Sequence, residues 1–320
     1  RNAKKQAQAL YAQSQDYRQA VRTQLIAGIA NTYYSLLMLD AQLKISEQTA
    51  SSWKETVNST RALMNAGIVN ETAVSQMEAT YYSICTSILD LKEQINQAEN
   101  SLALLLAETP HEIQRGKLGN QQLPENFSVG VPLQMLSNRP DVRQAERLVN
   151  AQAALLGASK SDWLPQVFLK GSVGYAARDL KDLPRRKSMT FEIAPTLSWT
   201  LFSGTKLVNA TKQARAQLDE AVHNFNETVL TAVQETDNAM NNYRNSIKQI
   251  VALREVRNQG QETLKLSLEL YKQGLSPFQN VLDALRSLLT YENQLTQAEG
   301  SSLLYLVSLY QALGGGYKEN

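Results

Sequence analysis

The sequence contains few of the residues that build catalytic, metal or disulfide sites. It has one cysteine and two histidines in 320 residues. Cys85 cannot form an internal disulfide and has no histidine near it in sequence, so we interpret it as a structural thiol. His111 begins HEIQR, which lacks the second histidine of a zinc-protease helix, and His223 stands alone in an alanine-rich stretch. We therefore predict no catalytic residue, no metal site, no cofactor and no enzyme activity.

Charge and long apolar runs are scarce as well. Charged residues make up 19% of the chain and sum to a net charge of +2, which indicates no polyanionic partner such as nucleic acid. No run of 18 or more apolar residues occurs, so no helix is predicted to cross a bilayer. With 43% hydrophobic residues, the chain can nevertheless bury a sizeable core.

Proline is absent from residues 1–109 and again from residues 196–276. Good helix formers dominate both windows, which predicts two helices of exceptional length, ending at Gly67 and Gly274. A second helix follows each, over 72–107 and 277–313. Apolar residues in the long helices recur at steps of three and four, which is typical of a coiled-coil seam. They are Ile26, Ile29, Tyr33, Leu36 and Leu43 in the first, interrupted by Asp40, and Val229, Val233, Thr236, Met240, Tyr243, Ile247 and Ile250 in the second.

The two halves of the chain are copies of one unit. RNAKKQAQA at Arg1 returns as VNATKQARA at Val208, an offset of 208 − 1 = 207, and the same offset places Gly67 on Gly274. NQAEN at 96–100 matches TQAEG at 296–300 with an offset of 200, so we expect a seven-residue deletion between the copies. Arg1 aligns with the middle of the unit. We therefore expect the protein to include a preceding segment that resembles residues 110–207.

A segment of different character separates the copies. Residues 108–132 are rich in proline and glycine, and a helix is predicted over 139–163. VFLKGSVGYAARD (167–179) and SMTFEIAPTLSWTLF (188–202) then alternate between apolar and polar residues. Strands in ordinary domains are nearer 5–6 residues, so these predict strands of a membrane β-barrel to which several chains contribute. The alternative is a soluble hairpin packed against the helices.

These patterns divide the chain into four segments. A first helical hairpin spans 1–109, and a linker with the start of a helix spans 110–164. A transmembrane β-hairpin spans 165–203, and the second helical hairpin spans 204–320. The predicted fold class is mainly α with a membrane β-hairpin.

Several stretches are distinctive: SNRPDVRQAE (137–146), WLPQVFLKGSVGY (163–175), LSWTLFSGTK (197–206) and the paired tips NAGIVNETAV and KQGLSPFQNVLDA. Together they resemble the outer-membrane efflux channel family, the TolC-like proteins. The resemblance covers essentially the whole chain. It implies a homotrimer in the outer membrane of a Gram-negative bacterium, with a tapering periplasmic α-barrel and one shared twelve-stranded β-barrel. Each subunit would give four strands, of which two are present here.

The resemblance also implies functional residues at the two tips. Asp283 falls where an acidic side chain often lines the periplasmic aperture, and Gln279 falls where an apolar residue is common. Three copies of Asp283 would form a cation-selective ring. The first-copy equivalents of Gln279 and Asp283 are Thr72 and Gln76. The expected adaptor-contact residues are Gly67, Ile68, Gly274 and Leu275.

Three functions remain open at this point. The first is the exit duct of a tripartite efflux pump, which conducts drugs or other small molecules passively and engages a periplasmic adaptor protein and an inner-membrane pump. The second keeps the family but exports proteins. The third is a structural tethering coiled coil, which would explain the helices but not the alternating strands.

Overall fold

The computed structural model describes residues 2–67, 70–121, 124, 137–178, 183 and 188–315. Its helices are α1 (Asn2–Asn65), α2 (Glu71–Leu105), α3 (Pro140–Ser161), α4 (Lys206–Lys272) and α5 (Phe278–Ala312), and its strands are β1 (Gln166–Tyr175) and β2 (Met189–Ser198). A single 3₁₀ turn, Leu118–Asn120, lies between α2 and α3. Among these described helices, none is long and apolar enough to cross a membrane.

The internal repeat is confirmed, but the expected seven-residue deletion is wrong. Helices α2 and α5 both have 35 residues, and they start (278 − 71) and end (312 − 105) at the same offset of 207. The offset continues past the helix ends, because the Glu108 N–H donates to the Ala103 carbonyl as the Gly315 N–H donates to that of Tyr310. A shift of one heptad preserves a coiled-coil pattern. The match at offset 200 therefore reflects that periodicity rather than structural equivalence.

The seam of α4 is partly as predicted. Thr236, Tyr243 and Ile250 are buried, but Val233 is 42% exposed. The buried positions follow a strict alternation of four and three, and small residues fill every second place: Ala232, Thr236, Ala239, Tyr243, Ser246 and Ile250. Helices approach closely where small side chains line the contact. Our prediction followed the larger apolar residues and so passed over the alanines.

Asp40 interrupts the seam of α1 because it binds an arginine. The Nη2 of Arg115 donates to Asp40 Oδ1 at 3.1 Å, and another guanidinium nitrogen of Arg115 pairs with Glu99 on α2. These carboxylates hold the pKa of Arg115 above its ordinary value, with the Asp40 hydrogen bond the largest cause. The Gly116 N–H donates to the Tyr33 hydroxyl at 3.2 Å. The loop after α2 is thereby fastened to both helices of the first hairpin.

The chain forms two compact units. One comprises Arg1–Arg18 and Pro140–Leu230, and the other comprises Gln19–Arg139 and Thr231–Asn320. In the first, Asp16 is 5% exposed and lies 3.4 Å from Arg143 Nε and 3.7 Å from Arg147 Nε. The second contains the tips of both helical hairpins. The four-segment division of the sequence remains a prediction.

The first unit carries the β-hairpin, whose strands are shorter than predicted at 10 residues each. They pair antiparallel with Val167 opposite Leu197, Leu169 opposite Pro195 and Val173 opposite Phe191. Because odd-numbered residues pair with odd-numbered residues, the large apolar side chains of both strands share one face, except Phe168, which lies on the other face opposite Thr196. The side chains on the shared face are exposed, from 51% at Tyr175 and Met189 to 76% at Val167.

Candidate functional site

The two long helices end in the same backbone geometry. Gly67 has φ +75° and Gly274 has φ +71°, the left-handed conformation that glycine adopts at low cost after a helix. At the second tip the Gly274 N–H donates to the Tyr271 carbonyl and the Leu275 N–H to the Leu270 carbonyl, both at 2.9 Å. Leu275 is 71% exposed. Ile68, the corresponding residue of the first tip, lies outside the described residues.

Asp283 lies on an exposed surface of α5, close to its start. Its Oδ1 accepts a hydrogen bond from Gln279 Nε2 at 3.0 Å and lies 3.8 Å from Arg286 Nη1. The Asp283 side chain keeps 58% of its accessible surface. A carboxylate this exposed can interact with a passing cation. Gln279, which falls where the resemblance implies that an apolar residue is common, orients that carboxylate.

Thr72 and Gln76 lie at the start of α2, and both are exposed. One turn further on, Thr80 Oγ1 donates to the Gln76 carbonyl at 3.0 Å. The same hydroxyl accepts a hydrogen bond from Arg286 Nη2 at 2.6 Å. Arg286 therefore joins the Asp283 side of α5 to α2. The sequence reasoning missed this arginine, although its place three residues after Asp283 on a helix was a signal.

An apolar cluster packs α5 against the two helices of the first hairpin. Trp53 from α1, Met77 from α2 and Leu282 from α5 are 1%, 0% and 1% exposed and belong to one cluster. Phe278 and Leu285 pack against it. Full burial of each such side chain contributes about 1.5–3 kcal/mol. The start of α5, which carries Asp283, is therefore held by a packed core rather than by its polar contacts alone.

The SNRPDVRQAE stretch has a structural role at the other end of α5. Arg139 is 6% exposed, and its Nη1 donates to the Ala312 carbonyl at 3.1 Å while its Nη2 pairs with Glu235 Oε2 at 2.6 Å. A cation at a helix C-terminus satisfies carbonyls that have no partner within the helix. Arg139 thus joins the end of α5 to α4, a contact that the sequence reasoning did not identify.

Within the described ranges, no three histidine, cysteine, aspartate or glutamate side chains are grouped so that they could hold a metal ion. Burial is the largest cause of a raised pKa at two side chains. Burial raises the pKa of Glu292, an effect that Arg257 opposes, and burial also raises the pKa of Tyr243. Tyr243 donates to the Pro124 carbonyl at 2.7 Å.

Comparison with known proteins gives consistent results. The sequence model of the family described as outer membrane efflux protein matches residues 1–108 and 131–315. TtgC, a probable efflux pump outer membrane protein of Pseudomonas putida KT2440, is 28% identical over 321 residues, which are 100% of this chain and 66% of that protein. CusC, a cation efflux system protein of Escherichia coli K12, is 26% identical over 313 residues, which are 96% of this chain and 67% of that protein.

Solved structures are similar as well. The open-state structure of the MtrE outer membrane channel of Neisseria gonorrhoeae superposes with a TM-score of 0.89 at 25% identity, covering 99% of this chain and 72% of that chain. The chain spans about two thirds of the length of TtgC and CusC, the curated relatives given above.

Proposed function

Since the chain belongs to the outer membrane efflux protein family, we propose that the protein is the outer-membrane exit duct of a tripartite efflux pump. It conducts drugs or other small molecules passively from the periplasm to the outside of a Gram-negative cell. The observation that carries this proposal is the β-hairpin. Ten-residue strands match the length that crosses a bilayer when tilted, and their large apolar side chains, apart from Phe168, form one exposed face.

The ends of the hairpin support a membrane location. Trp163 and Trp199 lie where β1 begins and β2 ends, and they are 47% and 55% exposed. Their ring N–H groups are held at 3.2 Å by the Thr211 hydroxyl and the Trp163 carbonyl. Tyr175 lies at the opposite end of the ladder. Aromatic residues at both ends of an apolar band are typical of strands that cross an outer membrane.

A two-stranded sheet leaves two unpaired edges, which cannot face hydrocarbon. We therefore infer a homotrimer that closes one twelve-stranded β-barrel, in contact with outer-membrane lipid. The helical hairpins form a periplasmic α-barrel that engages an adaptor protein and an inner-membrane pump. The protein acts as a passive conduit and performs no chemistry, and it needs no cofactor.

The tips provide the aperture and the adaptor contact. Asp283 from three subunits lines the constriction, with Gln279, Thr72 and Gln76 beside it. Gly67, Ile68, Gly274 and Leu275 meet the adaptor. What supports the aperture assignment is the exposure of the Asp283 carboxylate and its orientation by Gln279. A tethering coiled coil would leave the exposed apolar face of the β-hairpin without a role.

The test uses the protein expressed from its natural gene and purified in detergent. Its mass, corrected for bound detergent, is expected to be that of a trimer, whereas a monomer or dimer that stays soluble without detergent would overturn the duct.

Planar-bilayer recordings then test the aperture. Asp283→Asn should lower the preference for cations over anions, because the ring loses its charge. Asp90→Asn, the same change at an exposed site further along α2, should leave that preference unchanged. Equal preferences in both variants would contradict the Asp283 ring but not the duct.

A further inference from the structure

A groove of about 810 Å³ lies between α4 and α5. Gly260 forms its floor on α4, and Ala284, Ser287 and Tyr291 line it on α5. These α5 residues lie on the side of the helix opposite to Leu282, Leu285 and Leu289, which pack against the first hairpin. The groove is therefore open on the side that this chain does not cover.

The internal repeat shows how the groove arises. At the offset of 207, Gly260 corresponds to Trp53 and Ala284 corresponds to Met77. Trp53 and Met77 are 1% and 0% exposed, so in the first copy the same space is filled by large side chains. In the second copy two small residues replace two large ones, and the ring of Tyr291, which corresponds to Ile84, fills only the part of that space next to Gly260. The groove is thus a local difference between the two hairpins, not a property of the repeated unit.

The first hairpin presents large apolar side chains that the described residues leave exposed. Tyr82 and Leu89 on α2 are 66% and 67% exposed and lie seven residues apart, so they point in one direction. The Tyr82 ring is braced edge-on by Tyr81, with ring centroids 5.4 Å apart. Tyr81 itself packs against the Trp53 cluster. The Tyr82 ring is therefore held outward in a defined position.

The groove and the exposed tyrosine lie at the same distance from the tips. Tyr82 is 82 − 71 = 11 residues past the start of α2. Ser287 and Tyr291 are 287 − 278 = 9 and 291 − 278 = 13 residues past the start of α5. Because α2 and α5 have equal lengths, hairpins that stand side by side with their tips level would place Tyr82 between Ser287 and Tyr291, in the half of the groove that lies away from the tips.

From this match we propose that Tyr82 of one copy of the chain docks in the Gly260–Tyr291 groove of the next copy, with Leu89 one heptad along the same contact. The inference rests on the proposed trimer. The two surfaces are different parts of one chain, so the contact is heterologous, and such contacts close into a ring when the rotation permits. Aromatic side chains in desolvated pockets are typical anchors of protein interfaces.

Cysteine cross-linking in native membranes tests the contact. In a Cys85→Ser background, Tyr82→Cys and Ser287→Cys are introduced together and treated with a short bis-maleimide. Both positions are exposed in the single chain, so each cysteine lies at the surface where the two copies would meet. Cross-linked dimers and trimers are expected on a denaturing gel, with loss of most of the monomer band. The matched control pairs Ser87→Cys with Ser287→Cys. Ser87 is exposed but points away from Tyr82 on α2, so it should give monomer.

The outcomes separate this contact from the function. Monomer in the Tyr82 pair, or equal cross-linking in both pairs, overturns the docking while a trimeric mass in detergent leaves the duct intact. A groove occupied by cargo or by an adaptor helix would also leave the Tyr82 pair as monomer. A monomeric mass would overturn both proposals. Each cysteine alone must give no cross-link between copies, since otherwise the product does not report the pair.

Discussion

At the scale of single residues, Arg115 carries more contacts than its place in a loop would indicate. It binds Asp40 on α1 and Glu99 on α2, and the three side chains are 19%, 29% and 14% exposed. Removing one member of such a group leaves partly buried charges without a partner, which is more costly than losing an exposed ion pair. The contributions of a partly buried and of an exposed ion pair to stability can therefore be compared within the first hairpin.

Arg115→Ala should lower the free energy of unfolding by about 2 kcal/mol, because Asp40 and Glu99 lose charged hydrogen bonds. Lys92→Ala is the matched control. Lys92 lies 3.2 Å from Glu47, but both side chains are about half exposed, so its loss should change stability by less than about 1 kcal/mol. Denaturant titration in detergent measures both. Equal losses would show that the Arg115 group is no stronger than a surface pair.

Glu292 should make the stability of the folded protein depend on pH. Burial raises the pKa of Glu292, so the folded protein holds this proton more tightly than the unfolded chain does. The resulting stability is fully present below the unfolded pKa of about 4.3 and is lost as pH rises through the folded pKa. Glu292→Gln removes the titration. The variant should gain stability over the natural protein as pH rises from that value, and a difference independent of pH would contradict the assignment.

At the scale of elements, the end of α2 departs from its counterpart. Ala107 has φ +58°, whereas Gly314, 207 residues later, has φ +93° at the end of α5. Both turns carry the same hydrogen bond back into the helix. Alanine in the left-handed region costs about 1 kcal/mol relative to glycine. The turn after α2 therefore contains a strained alanine, whereas the turn after α5 has an unstrained glycine at the same position.

Ala107→Gly should therefore raise the free energy of unfolding by about 1 kcal/mol. Ala79→Gly, the same substitution at an exposed position inside α2, should lower it by a similar amount because glycine is a poor helix former. Thermal unfolding followed by circular dichroism would show the opposite signs. A loss of stability in both variants would mean that the Ala107 backbone is unstrained.

The sequence predicted features that depend on neighbouring residues, but it did not predict contacts between residues far apart in the chain. Helix periodicity, strand alternation and the glycines that end α1 and α4 are local signals, and the structure confirms them. The contacts of Arg286 with Thr80, Arg115 with Asp40 and Arg139 with Ala312 join residues 206, 75 and 173 positions apart. No local pattern indicates such partners. The aperture and adaptor-contact residues stay predictions, since their roles depend on neighbouring copies and on other proteins.

At the scale of the whole molecule, the two faces of the β-hairpin would meet different surroundings in the membrane of the proposed assembly. Ile193 lies at the middle of the ladder on the apolar face, opposite Gly171, and is 57% exposed. Ser172, one residue from Gly171, lies on the polar face opposite Glu192. The two positions share one depth but face different surroundings.

Ile193→Arg should cost about 2–4 kcal/mol, because the charge would lie in hydrocarbon. It should sharply reduce the amount of folded protein in the outer membrane. Ser172→Arg, which places the same side chain opposite Glu192, should leave that amount close to normal. Quantitative blotting of membrane fractions measures both. Similar yields would indicate that the apolar face does not contact lipid.

The equal register of the two hairpins also sets the spacing of charge around the proposed aperture. Asp283 and Gln76 occupy equivalent positions, 207 residues apart. A threefold assembly of a duplicated chain therefore has six equivalent places at this level, but a carboxylate stands at only three of them, alternating with a neutral amide. Because the two copies of a duplicated chain can differ at one position, the proposed ring would carry a carboxylate at every second place, with a neutral amide between each pair.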